Sequence, residues 1–346
     1  MLKVGIIGAT GYAGQQLVWL LVNHKFVKIE FMASNSYFGE KFSEIYPNFK
    51  YRLDSKLISP EEASKNLKNI DVLFLALPHG KSANLVKLAV ENNVKVIDLG
   101  ADFRLTDPEI FSNWYKIKFN FPELIKDSIY SLPELKSKEE IQKAKIIANP
   151  GCYATASLLA LAPLVKNNLI DLNSIIIDAK SGVSGAGRSL KTGSLFCECN
   201  ESIKAYGVGT HRHTAEIEQE LSLIGNKEIK TLFTPHLVPM NRGILAVSYA
   251  SLKVSKSLED ILKIYKEFYN SSYFVRVLDY LPETRFVKGS NFCDISLKID
   301  PRTNKIIVIS AIDNLIKGAA GQAVQNMNIL FNFNEFEGLT HLGMNI

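Results

Sequence analysis

Lys3-Val4-Gly5-Ile6-Ile7-Gly8-Ala9-Thr10-Gly11-Tyr12-Ala13-Gly14-Gln15-Gln16-Leu17 is the stretch that decides the fold. Its first half, Lys3–Gly8, is a short apolar run that reads as a β-strand. Glycines then recur three apart, and a helix is expected over Gln15–Asn23. Glycines at a strand-to-helix turn let backbone approach a pyrophosphate, and the helix start supplies N–H groups and the positive dipole end. The spacing is G-x-x-G-x-x-G rather than G-x-G-x-x-G, so the turn gains its meaning from the flanking strand and helix. Gly8, Thr10, Gly11, Tyr12, Ala13 and Gly14 are the expected dinucleotide contacts.

The rest of the first half repeats this rhythm. Strands are expected at Ile29–Ala33, Val72–Ala76, Val94–Leu99 and Lys145–Ala148, with helices at Lys81–Asn92 and near Ser137–Lys143. Such alternation builds a doubly wound, Rossmann-type parallel sheet. From about Ile175 the pattern changes. Strands at Ile175–Ala179, Thr231–Pro235, Ile244–Leu252 and Phe292–Ile299, with helices at Thr214–Ile224 and Leu258–Phe268, suggest an α+β domain. Its sheet should be mostly antiparallel, with helices on one face. A last helix is expected over Asp313–Phe331. Its small residues Gly318-Ala319-Ala320-Gly321 would admit close approach by a cofactor or by the first domain.

The end of the second strand bears on the cofactor. An acid there would hold the ribose hydroxyls of NAD. The chain instead has Ala33-Ser34-Asn35-Ser36 and then Lys41, which suit a 2′-phosphate and so favour NADP.

Composition narrows the class. At 346 residues the chain suits two domains, and 47% hydrophobic with 22% charged residues is ordinary for a soluble enzyme. Four cysteines, at 152, 197, 199 and 293, form no plausible disulfide framework, which favours a reducing, cytoplasmic location. Cys197-Glu198-Cys199 is too closely spaced for a zinc knuckle, so no metal site is expected. The net charge of +5 is spread without a basic block, which argues against nucleic acid. No apolar run reaches the ~18 residues of a membrane span, and a strand signal from Leu2 leaves no room for a signal peptide.

The nucleophile candidate lies in Asn149-Pro150-Gly151-Cys152-Tyr153-Ala154-Thr155. A strand runs into a Pro-Gly turn, and a helix is expected from Ala154 to Val165. That places Cys152 at a helix start, where N–H groups and the dipole favour a thiolate and could hold an oxyanion. The residues alone leave open a small, buried, inert cysteine. His211-Arg212-His213-Thr214-Ala215-Glu216-Ile217 opens another helix and offers a proton-transfer group, or else a solvated turn. Ser181-Gly182-Val183-Ser184-Gly185-Ala186-Gly187-Arg188 is either an anion loop or a flexible connection. Asp98–Arg104 follows a first-domain strand on the ligand side of an α/β sheet. Arg104, Arg188, Arg212 and Arg242 sit in these candidate loops, where a guanidinium can grip phosphate or carboxylate.

With these pieces assembled, the chain resembles the N-acetyl-γ-glutamyl-phosphate reductase family, the arginine-pathway branch of the aspartate-semialdehyde dehydrogenase superfamily. The likeness runs through Gly8–Gly14, Leu77-Pro78-His79-Gly80, Asp98–Leu105, Leu132-Pro133-Glu134-Leu135, Asn149–Thr155, Lys180–Arg188 and His211–Ile217. It continues through Thr234–Gly243 and Asp313–Asn326. The resemblance implies a nucleotide-binding domain over 1–150, completed by the C-terminal segment 313–346, and a catalytic domain over 151–312. It makes Cys152 the nucleophile and His211 the base, with His213 the other choice. Ser34, Ser36, Lys41, Pro78, Gly182, Asn314 and Gly318 join the glycine turn as NADP contacts. Arg104, Asn149, Ser181, Arg188 and His213 become substrate contacts. The implied reaction is NADPH-dependent reduction of N-acetyl-glutamyl phosphate to its semialdehyde through a Cys152 thioester, in a homo-oligomer (dimer or tetramer).

Four positions depart from the family pattern: Ala154 and Ala215 replace common prolines, Ser131 a glycine, and Asn35 a frequent arginine near the 2′-phosphate. The nearest rival is the lysine-pathway reductase of carrier-linked aminoadipyl phosphate. A catalytically silent NADP-binding regulator is the rival outside enzymes.

Overall fold

The structure, a computed structural model, describes residues 1–253 and 256–344. In chain order the elements are β1 (Leu2–Ile7), α1 (Tyr12–Val22), β2 (Val27–Ala33), α2 (Phe42–Ile45), α3 (Pro60–Lys65), β3 (Val72–Leu75), α4 (Ala83–Glu91), β4 (Lys95–Asp98), α5 (Pro108–Tyr115), β5 (Ser128–Tyr130), α6 (Lys138–Lys143) and β6 (Ile146–Ala148). There follow α7 (Cys152–Lys166), β7 (Ile176–Gly182), α8 (Phe196–Cys199), β8 (Lys204–Ala205), α9 (His213–Gly225), β9 (Leu232–Val238), β10 (Ile244–Ser251), α10 (Leu258–Phe268), β11 (Val275–Val277), α11 (Thr284–Val287), β12 (Cys293–Asp300), β13 (Lys305–Ile312) and α12 (Gly321–Leu330). The chain divides into two compact units, Met1–Pro150 with Ala319–Thr340, and Gly151–Gly318 with the segment from His341.

The first unit carries a six-stranded sheet in the order β2-β1-β3-β4-β6-β5, parallel at every pairing. All four residues of β3 are buried, as are the last four of β1. A parallel sheet covered on both faces requires such continuous apolar runs. Helix α12 belongs to this unit and packs on α1, α6 and β4. All ten of its residues are buried, including Gln325, Asn326 and Asn328. Those amides are satisfied by the loops around them. Asn326 Nδ2 donates to the carbonyl of Ser131, the Ser131 hydroxyl donates back to Asn326 Oδ1, and Asn328 Nδ2 donates to the carbonyls of Glu335 and Glu337.

The second unit carries a seven-stranded mixed sheet in the order β11-β12-β13-β10-β7-β9-β8. Four of its pairings are antiparallel, while β7–β9 and β11–β12 are parallel. Helix α7 packs against β10, β12, β13, α9 and α10 and is buried from Tyr153 to Val165. A helix apolar all round has to be central. Pro163 within it has no N–H to give the carbonyl of Leu159, four residues back. The Tyr269 hydroxyl donates to that carbonyl at 2.6 Å and restores the bond.

Three differences from the sequence reading stand out. Strand β13 is a full central strand that the reading did not name. The three-residue β5 is too short to show a period. The expected helix Asp313–Phe331 starts with a π-helical turn, Ile316–Ala320, before α12 proper. Its bonding follows from Asp313, whose carboxylate accepts from the N–H groups of Leu315 and Ile316 while its carbonyl accepts from Gly318 N, five residues on.

Candidate active site

Helix α7 starts two residues earlier than the sequence suggests, so Cys152 is its first helical residue and Gly151 its N-cap. No side chain caps this end. The first-turn N–H groups therefore point to where an anion would be welcome. The turn before it is held by Glu216, wholly buried on α9, whose Oε1 accepts from Gly151 N at 2.6 Å. Gly318 lies against the cysteine from the other side. A Cβ built on Gly318 would come within 2.7 Å of Cys152 Cβ, so glycine is required there. The close approach anticipated for the small-residue stretch is, at Gly318, made to Cys152.

His211 and His213 lie at the start of α9, their rings 4.9 Å apart. His211 is enclosed edge-on by Tyr153 at 5.6 Å, Tyr206 at 5.4 Å and Phe233 at 5.4 Å. Its Nδ1 accepts from the backbone N–H of His213 at 3.2 Å. Burial, seconded by the Arg212 charge, pushes His211 down to about 4. The Tyr206 hydroxyl donates to Tyr153 Oη at 3.1 Å, and Tyr153 donates to the His236 carbonyl. Burial raises the phenol of Tyr206 to about 12, and the charge of Cys152 adds to the rise. Burial also raises Tyr153, and Cys152 again contributes. Cys152 thus acts electrostatically on both tyrosines, which form a cluster of ring contacts with both histidines within the second unit. Tyr206 and Phe233 carried no sequence signal. Glu216 did, through its place in the His-Arg-His segment.

The loop after β7 is tied down rather than open. A Cβ on Gly182 would meet the backbone of Asn241 and Arg242 at 2.8 Å, and Val183 N donates to the Met240 carbonyl. Asn314 spends its amide on Gly243 N and Ser184 Oγ. Gly182 and Asn314 are thus both held in packing between loops. Ser181 is buried and donates to the Gly182 carbonyl, while Arg188 is exposed at the loop's far end. Arg242 reaches the buried Asp313 at 3.0 Å.

In the first unit, Gly11 is the N-cap of α1, which again has no side-chain cap. Gly8 has φ +87°, and Cβ atoms on Gly8 and Gly14 would strike the Ala76 and Gly8 carbonyls. The turn is thus a close-packed backbone cradle with Tyr12, Ala13 and Gly14 opening the helix, and it fits a pyrophosphate. Thr10 Oγ1 pairs with Ser34 Oγ at 2.8 Å, which takes up the buried Ser34 hydroxyl. Asn35, Ser36 and Lys41 are exposed past β2, and Lys41 is bridged antiparallel to Lys56, a cation the sequence did not single out. Pro78 is exposed after β3. Arg104 is 5% exposed, with Nε on the Asn149 carbonyl and Nη2 on that of Leu99. Asn149 Nδ2 donates to the Ala319 carbonyl. Buried Asp98 accepts from Ser82 and Gly100, and burial beside Asp102 raises it to about 7.

Comparison with known proteins agrees with both units. The family model "Semialdehyde dehydrogenase, NAD binding domain" matches residues 3–144, and "Semialdehyde dehydrogenase, dimerisation domain" matches 152–314. N-acetyl-gamma-glutamyl-phosphate reductase of Clostridium novyi (strain NT) is 56% identical over 98% of each chain. The chain belongs to the N-acetyl-gamma-glutamyl-phosphate reductase family. The protein of that name from Lachnospira eligens is 52% identical, again over 98% of each. The fold is shared more widely. Aspartate semialdehyde dehydrogenase II of Vibrio cholerae superposes with a TM-score of 0.73 at 20% identity, covering 96% of this chain and 98% of that one.

As in the sequence reading, this member of the reductase family has a Rossmann-type dinucleotide-binding unit and a second, mostly antiparallel α+β unit. Cys293, by contrast with Cys152, is fully buried within β12. Among the described residues no group of three or more His, Cys, Asp or Glu is placed to hold a metal ion, and no helix is long and apolar enough to cross a membrane.

Proposed function

We propose that this protein catalyses the NADPH-dependent reduction of N-acetyl-L-glutamyl 5-phosphate to N-acetyl-L-glutamate 5-semialdehyde and phosphate, the reductase step of arginine biosynthesis, in the cytoplasm and as a homo-oligomer. The observation that carries the reading is Cys152 as first residue of an uncapped, buried helix beside the His211 cluster. The relatives named above supply the substrate.

The helix start favours the Cys152 thiolate, which attacks the acyl carbon, and first-turn N–H groups of α7 hold the oxyanion. Phosphate leaves and a thioester remains. When bound, the reduced nicotinamide supplies the hydride that reduces this thioester. Glu216 keeps the Gly151 turn in place, and His211 faces the oxygen of the tetrahedral species. Ser181, Arg188, Arg104, Asn149 and His213 remain the candidates for gripping substrate, although Arg104 already gives two of its nitrogens to backbone. NADP over NAD is supported by Lys41 opposite Lys56. Like charges directly across a bridge repel, and an anion between them relieves that.

The experiment is reduction of NADP by N-acetyl-glutamate semialdehyde with phosphate present, followed by nicotinamide absorbance. Activity that requires phosphate and vanishes in Cys152→Ser, with NADPH still bound, is the expected result. Activity only on a carrier-linked aminoadipyl substrate would overturn it.

A further inference from the structure

We propose that Tyr46 is a positioning residue of the dinucleotide site, its hydroxyl holding the Thr10 carbonyl so that the first N–H groups of α1 meet the cofactor's pyrophosphate. The inference rests on the dinucleotide-binding turn alone, and not on the reaction proposed above.

The Tyr46 hydroxyl donates to the Thr10 carbonyl at 2.7 Å, across 36 positions of sequence. A peptide group is planar and trans, so its C=O and N–H point opposite ways. In the Thr10–Gly11 peptide both ends are held, the C=O by Tyr46 and the Gly11 N–H by the Gly8 carbonyl at 3.2 Å. The Thr10 side chain is fixed as well, through Ser34 Oγ just past β2. Gly8 N and Ala9 N both donate to the Ala33 carbonyl. The turn is thus fastened residue by residue to β2 and the chain after it.

This fastening sets the start of α1. Gly11 is its N-cap, the Gly11 carbonyl accepts from Gln15 N, and no side chain caps the end. With the Gly11 N–H committed inside the turn, the N–H groups of Tyr12 and Ala13 at the head of the helix are the ones left to meet an anion. Their direction follows from the peptide before them. Glycine at 11 would let that peptide swing, and Tyr46 restrains it from outside the turn. The donated proton also offsets the negative end of the Thr10 carbonyl dipole, which opposes an anion in the same turn.

Tyr46 itself is firmly mounted. It ends α2, its N–H donates to the Phe42 carbonyl at 3.0 Å, and its ring lies 5.2 Å from that of fully buried Phe42. Phe42 in turn meets Phe49 edge-on. The stretch that carries Tyr46 leaves β2 and returns to it, where Ser34 N donates to the Ile58 carbonyl and Ile58 N to that of Met32. Lys41 and Lys56 stand on the same stretch with a different task, because the pyrophosphate is common to NADPH and NADH and the 2′-phosphate is not.

The test is nucleotide binding to the whole protein without substrate, wild type against Tyr46→Phe, which keeps the ring against Phe42 and removes only the hydroxyl. Fluorescence titration should give Kd values for NADPH and NADH that rise by one common factor, about fivefold to tenfold for a single neutral hydrogen bond. 2′-AMP has the adenosine and the 2′-phosphate but no pyrophosphate, and should bind both proteins alike by calorimetry. Unchanged Kd values for both dinucleotides overturn the proposal. So does a rise for NADPH alone, which would put Tyr46 at the 2′-phosphate. Equal weakening of 2′-AMP overturns it too, since the whole stretch would then have loosened. Because no turnover is read, failure here leaves the proposed reaction standing.

Discussion

Gly318 and Cys152 are in backbone contact range: a Cβ on Gly318 would lie 2.7 Å from Cys152 Cβ and 3.2 Å from its Cα. The π-turn delivers this contact, because the five-residue bond from Gly318 N to the Asp313 carbonyl widens the chain just where it passes the cysteine. Gly318→Ala should therefore push the nucleophile aside. A shift on the order of 1 Å costs about 10²-fold in rate. Turnover and the rate of Cys152 alkylation should both change; unchanged values for both would mean that the chain accommodates the methyl group elsewhere.

Lys56 should matter to cofactor choice. Replacing it by alanine removes one of the two bridged cations past β2. We expect the KM for NADPH to rise by roughly tenfold, about 1.4 kcal/mol of phosphate contact, with kcat and the KM for NADH unchanged. Calorimetry with 2′,5′-ADP against 5′-AMP reads the same difference without turnover. Equal effects on both nucleotides would remove Lys56 from the 2′-phosphate site.

Tyr269→Phe leaves the Leu159 carbonyl buried in α7 with neither the Pro163 N–H nor the phenol as donor. Such an orphaned acceptor costs about 1–3 kcal/mol. Urea titration should show the unfolding free energy fall by that amount, with the midpoint moving to lower urea. A change within a few tenths of a kcal/mol would mean that water reaches the carbonyl.

Acid should weaken the fold through His211. Its pKa falls from 6.5 to about 4 on folding, so between those values the unfolded chain binds the extra proton. Stability from this group is complete above pH 6.5, declines as pH drops, and is fully lost below 4. His24, lowered by burial, acts in the same direction. The wild type should thus lose up to roughly 2–3 kcal/mol more than His211→Gln between pH 7 and 4, by denaturant titration at each pH. Parallel curves for the two proteins would disprove the shift.

Much of the fold was legible because parallel strands buried on both faces leave unbroken apolar runs, as in Val72–Leu75, and because glycine turns are local. The helix starts at Cys152 and His213 were legible for a similar reason: each lies in a short segment whose neighbours mark a turn into a helix. What escaped was non-local. Tyr206, Phe233 and Tyr269 matter only through residues distant in sequence, and no period or spacing marks them. The π-turn at Ile316–Ala320 escaped because it depends on how the Asp313 carboxylate is spent, on Arg242, Gly289 and its own following turn.

The first unit is finished by α12, a helix buried along its whole length yet encoded at 321–330. A ribosome reading this message makes the six-stranded sheet first and must then complete some 190 further residues before Thr340 emerges, roughly 10–40 s at ordinary elongation rates. Through that interval the nascent sheet has an uncovered face on α1, α6 and β4. A message cut short before codon 321 would therefore leave the part of the molecule translated earliest without its covering helix.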